Sequence, residues 1–93
     1  MAFTGQLAVV TGGGSGMGQT WARKLAEGGA TVVLIDVNVE GMEATASGFE
    51  TVHPHLVDIT DSDAVKQVFA DIESNYGPID RVINAAAIMP FGR

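Results

Sequence analysis

An α/β chain built on a doubly wound parallel sheet is what this sequence predicts, and three observations predict it. Short apolar runs alternate with helical patterns along all 93 residues. The runs are continuously apolar rather than alternating, as parallel strands buried on both faces are. The first run also feeds directly into a loop with five glycines, Gly12, Gly13, Gly14, Gly16 and Gly18, which opens a helix.

Each element follows in order. Leu7–Thr11 is the first strand. From Gly16 to Glu27 the apolar residues Met17, Trp21, Ala22, Leu25 and Ala26 fall at helical spacing, which predicts that Met17 and Trp21 are core residues, and Gly28-Gly29 supplies the stop. Thr31–Asp36, dense in β-branched residues, is the second strand. A weaker helix runs from about Glu40 to Ala46 and ends before Gly48. Thr51–Val57 reads as a third strand, and Pro54 inside it cannot donate to a ladder, so this strand belongs at a sheet edge or a bulge. Thr60 with Asp63 offers a start resembling a capping box, and Val65, Val68, Phe69, Ile72 and Tyr76 mark the buried stripe of the helix that follows. Gly77-Pro78 ends it, and Ile79–Asn84 is the fourth strand. The order β-α-β-α-β-α-β is the first portion of a Rossmann-type fold with strand order 3-2-1-4, in which the third strand is indeed the edge. Right-handed crossovers then bring the C-terminal ends of all four strands to one side of the sheet.

Composition limits the functions available. Residues 1–93 suffice for a single small domain, burying roughly two-thirds of its unfolded surface. A net charge of −6, with five basic against eleven acidic residues, argues against nucleic acid as a partner. There is no cysteine to build a disulfide or a thiolate metal site. His53 and His55 sit two apart on a strand and so share a face, but no third ligand accompanies them in sequence. No apolar run is long enough to span a bilayer, and a cytoplasmic protein is expected.

The glycine loop carries the chemistry. Without a Cβ, glycine lets backbone N–H groups come within hydrogen-bonding distance of an anion, and the following helix aims its positive dipole end at the same point. Phosphate suits such a site. A strict G-x-G-x-x-G fingerprint fails, because Met17 and Gln19 stand where its last glycine would fall. Gly13 to Thr20 fits a Walker pattern, G-x-x-x-x-G-x-T, except that Gln19 replaces the lysine that should reach the phosphates. A plain glycine-rich surface turn would not explain the buried strand before it and the amphipathic helix after it. Thr11-Gly12-x-x-x-Gly16-x-Gly18 fits without a gap, and it resembles the cofactor loop of the short-chain dehydrogenase/reductase family. The segment Gly77-Pro78-Ile79-Asp80-Arg81-Val82-Ile83-Asn84-Ala85-Ala86-Ala87 looks like the same family's G-x-x-D-x-x-[IV]-N-[NA]-A-G region, departing from it at Ala87, where glycine is usual.

The resemblance implies a site, residue by residue. Gly12, Gly14, Ser15, Gly16, Met17 and Gly18 would form the pyrophosphate loop, with Ser15 its one hydroxyl. Asp36 closes the second strand, where a carboxylate accepts from the adenosine ribose hydroxyls of NAD and repels the 2′-phosphate of NADP; Val37 beside it brings no compensating charge. Asp58 and Ile59 would meet adenine, although an Asp there is also an ordinary helix-entry residue. Asn84 would steady the central sheet, and Ala85 and Ala86 would let the backbone approach the cofactor.

The family's catalytic Ser and Tyr-x-x-x-Lys have no counterpart in these residues. Tyr76 is followed four positions later by Asp80, and Lys24 and Lys66 have no tyrosine at that spacing. The expectation is the NAD-binding N-terminal portion of an oxidoreductase that moves hydride between NAD(H) and an alcohol or ketone, inactive by itself and prone to associate with a second copy through the outer edge of its fourth strand. A non-catalytic NAD-binding or interaction module, and a Walker-type hydrolase, are the alternatives.

Overall fold

The structure, a computed structural model, describes residues 5–12 and 16–84. It contains seven elements: β1 (Leu7–Thr11), α1 (Gly16–Glu27), β2 (Thr31–Asp36), α2 (Val39–Ala46), β3 (Val52–Leu56), α3 (Ser62–Tyr76) and β4 (Arg81–Asn84). The four strands form one sheet in the order β3-β2-β1-β4, every pair parallel. Pro54 lies on the edge strand opposite Leu34, where its missing N–H costs the ladder least.

Side chains alternate between the two faces of the sheet. Ala8 and Val10 of β1 and Val32 and Leu34 of β2 pack with Ala22 and Leu25 of α1 and Met42 of α2. Leu7, Val9, Val33 and Ile35 project the other way, onto Val68 and Ile72 of α3. Both faces of β1 and β2 are therefore covered, which is why their sequences are apolar without alternation.

The helix ends are set by local chemistry. α1 stops in a Schellman motif: the Ala30 N–H donates to the Leu25 carbonyl at 3.0 Å and the Gly29 N–H to the Ala26 carbonyl at 3.0 Å. Gly29 takes the required left-handed conformation, φ 98°, and buried Ala30 lies against buried Leu25. α2 starts one residue earlier than the sequence suggests, because the Asn38 side chain accepts from the Gly41 N–H and caps it.

Three expectations are corrected. The cap of α3 is Asp61 rather than Thr60, since the Asp61 carboxylate accepts from the N–H groups of Asp63 and Ala64 at 3.1 and 3.2 Å. Met17 and Trp21 are 48 % and 44 % exposed instead of core; the inward row of α1 is Gly18, Ala22 and Leu25, and positions 17 and 21 lie about 100° around the helix from it. Tyr76, expected in the stripe of α3, is 38 % exposed, with its ring 5.2 Å from that of His53. Strand ends also move inward: β3 omits Thr51 and Val57, and β4 begins at Arg81, after Asp80 has bonded to β1. That contact is a clamp, with the Leu7 N–H donating to the Asp80 carboxylate and the Asp80 N–H to the Leu7 carbonyl, both at 2.8 Å.

Leu34 of β2 is fully buried in the cluster that the sheet forms with α1 and α2. Leu34→Ala in the intact protein is expected to remove about 3 kcal/mol of stability, read by urea unfolding. A loss under about 1 kcal/mol would mean that the layer collapses into the hole.

Candidate functional site

Parallel register sets the site. Thr11, the last residue of β1, stands opposite Ile35 of β2 and Asn84 of β4, and Asp36 stands opposite Leu56 of β3. Four strand ends thus open along one side of the sheet, where ligands of open α/β folds bind.

At the centre of that side β1 hands over to a turn. Gly12 takes φ 77°, a left-handed conformation that side chains resist, and its N–H donates to the Ile35 carbonyl at 2.7 Å. The Thr11 hydroxyl donates to the Asn84 side-chain oxygen at 2.7 Å and ties β1 to the end of β4. α1 begins at Gly16, with Gly18 buried against the sheet. A Cβ built on Gly16 would meet no described residue within 4 Å.

Both acidic residues of the edge are held by groups of the next two residues. One Asp36 carboxylate oxygen accepts from the Val37 N–H at 2.7 Å and the Asn38 N–H at 3.3 Å. One Asp58 oxygen accepts from the Thr60 hydroxyl at 2.6 Å and the Thr60 N–H at 2.9 Å. The hydroxyl bond, then the backbone bond, hold the Asp58 carboxyl below the ordinary carboxylate range. A depressed carboxyl contributes stability above its unfolded value and loses it as pH falls through the folded value, so Asp58 is ionised throughout the neutral range. Between α3 and the sheet lies a cavity of about 380 Å³, with Thr11, Thr60 and Asn84 polar and Ile59, Val65, Phe69 and Val82 apolar in its lining.

Of the residues singled out by sequence, Gly12, Gly16, Met17, Gly18, Asp36, Val37, Asp58, Ile59 and Asn84 occupy this side of the sheet. Gly14, Ser15, Ala85, Ala86 and Ala87 lie outside the described residues. Tyr76 lies at the opposite end, beside Gln6, Leu7 and Thr31. Two residues gained a place that sequence did not assign. Thr60 orients Asp58 rather than capping a helix, and Gln19 donates to the Gly41 carbonyl at 3.0 Å. Gln19 is therefore engaged with α2 and does not stand in for a Walker lysine.

Comparison with known proteins agrees with this geometry. Residues 6–93 match the short chain dehydrogenase family. The chain belongs to that family. It is 43 % identical over 91 residues to gluconate 5-dehydrogenase of Gluconobacter oxydans, a match covering 94 % of this chain and 36 % of that protein. Among solved structures it resembles a citronellol catabolism dehydrogenase of Pseudomonas aeruginosa, with TM-score 0.78 and 41 % identity over 86 % of this chain and 35 % of that one. It also resembles a 3-ketoacyl-(acyl-carrier-protein) reductase of Brucella melitensis complexed with NADH, with TM-score 0.78 and 31 % identity over 85 % of this chain and 33 % of that one. The chain spans about a third of the length of these relatives. No helix among the described residues is long and apolar enough to cross a membrane.

Thr60→Val is expected to return the Asp58 carboxyl toward its ordinary value of 3.8, followed by its carboxyl-carbon chemical shift against pH. An unchanged titration would show that the hydroxyl is not what holds the carboxylate.

Proposed function

We propose that this chain is the NAD-binding portion of an oxidoreductase that transfers hydride between NAD(H) and an alcohol or ketone. The observation carrying the reading is the end of β2. Asp36 stands there with one oxygen fixed by the Val37 and Asn38 amides, on the same side of the sheet as the Gly12 turn and the start of α1. A carboxylate so oriented accepts from a ribose diol and repels a 2′-phosphate. Neither residue that follows it, Val37 or Asn38, carries a compensating charge.

The residues fit the dinucleotide by chemistry. Gly14, Ser15, Gly16, Met17 and Gly18 would hold the pyrophosphate through backbone N–H groups and the dipole of α1, while Gly12, whose own N–H is held by the Ile35 carbonyl, makes the turn that leads to them. Asp36 and Val37 would hold the ribose. Asp58, kept ionised by Thr60, would accept from the adenine amino group while the Ile59 backbone meets the ring. Asn84, Ala85 and Ala86 would bring backbone close to the nicotinamide side. NAD, when bound, supplies the hydride acceptor. Proton transfer to or from the substrate needs a general acid–base group, and Tyr76, the chain's single tyrosine, lies at the far end of the sheet. These 93 residues by themselves are accordingly expected to bind NAD without turnover.

Asp36→Ala in the intact protein is expected to lower the preference for NAD over NADP by about tenfold or more, measured as the ratio of the two dissociation constants by calorimetry. An unchanged ratio would sink the assignment of Asp36 to the ribose.

A further inference from the structure

The hydrogen bonds of the site form a chain that crosses between its two halves. Gln19, next after Gly18 in the first turns of α1, donates its side-chain N–H to the Gly41 carbonyl of α2 at 3.0 Å. Because a carbonyl can only accept, it is the amide nitrogen of Gln19 that faces Gly41. The Gly41 N–H in turn donates to the Asn38 side chain at 3.0 Å, and the Asn38 N–H donates to the Asp36 carboxylate at 3.3 Å. The first turns of α1 and the carboxylate at the end of β2 are thereby connected through the Gln19 side chain, the backbone of Gly41, and the side chain and backbone N–H of Asn38.

A second side-chain bond between α1 and α2 is weaker. Arg23, one turn further along, reaches the Ala44 carbonyl only at 3.5 Å and from an exposed position. Gln19 is half-buried and 0.5 Å closer to its acceptor, so its bond is less open to competition from water. The Gly41 carbonyl also accepts from the Thr45 hydroxyl at 2.8 Å, which anchors the acceptor itself.

We infer that Gln19 is a positioning residue that holds the first turns of α1 against α2, and so sets them relative to the ribose-binding carboxylate, selecting ligands that reach both. The inference rests on the dinucleotide reading above. A ligand spanning the two halves binds best when they are held at its own length, whereas a ligand touching one half is indifferent to their separation. Gln19 acts through Gly41 and Asn38.

The test uses the intact protein with Gln19→Met, which keeps length but has no donor, and Gln19→Ala, which removes the side chain; both residues are strong helix formers. NAD, ADP-ribose and adenosine are the probes, titrated by calorimetry, with adenosine measured by competition. NAD and ADP-ribose are expected to weaken about five- to tenfold in both variants while adenosine changes less than about twofold. An equal loss for all three ligands would overturn the proposal in favour of a merely structural bond. No loss for any of them would overturn it too. If the unaltered protein binds neither NAD nor ADP-ribose, the dinucleotide reading fails first and takes this proposal with it.

Discussion

β1 is paired on both edges and packed on both faces, so its five residues have no polar outlet until Thr11. Its buried backbone groups need partners, which β2, β4 and, at Leu7, Asp80 provide in one register. Once Leu7 is clamped to Asp80 at one end, Thr11 must arrive opposite Ile35 and Asn84 at the other. The chain then leaves the sheet abruptly. Gly12 makes that exit possible by combining a left-handed φ with an N–H still bonded to the neighbouring strand. The position of Gly12 is a consequence of strand pairing.

The two acids at the strand ends solve one problem alike. A carboxylate on a solvated loop samples many rotamers, and ordering it on binding costs free energy. Asp36 and Asp58 each give one oxygen to donors within the next two residues, which orients the group before any ligand arrives. These bonds are local and short, and they need no partner from elsewhere in the fold. They explain how a half-buried Asp36 and an exposed Asp58 acquire a defined direction without full burial.

Much of this was legible in the sequence for a physical reason. Strands buried on both faces read as unbroken apolar runs, and a Schellman stop needs glycine, so β1, α1 and β2 begin and end where the residues indicate. Pro54 announced an edge because it cannot donate. Cap identity was harder: Thr60 and Asp61 are both good caps, and the choice depended on Asp58 competing for the Thr60 hydroxyl. Met17 and Trp21 misled because apolar periodicity fixes a stripe only to within a neighbouring row, and Gly18 leaves no apolar mark of its own. At the site, the place of Asp36 could be read because it closes a strand. That of Gln19 could not, since its partner lies 22 positions away on another helix.

Charge sharpens what such a site must do. The chain carries a net −6, and a dinucleotide carries negative phosphates, so the long-range field opposes their meeting. Few cations are available to reverse it: Arg23 points to the Ala44 carbonyl, and Arg81 bonds Gln6 beside the first residue of β1, at the opposite end of the sheet. Screening confines the repulsion to within about 8 Å at physiological salt, and inside that range fixed backbone dipoles dominate because they need no reorganisation. In the proposed function the glycine turn and the start of α1 therefore attract phosphate through backbone groups rather than through either of these arginines. The same acidity that slows approach serves selection at Asp36, where a second charged group on the ribose would meet a carboxylate already held in place by its own backbone.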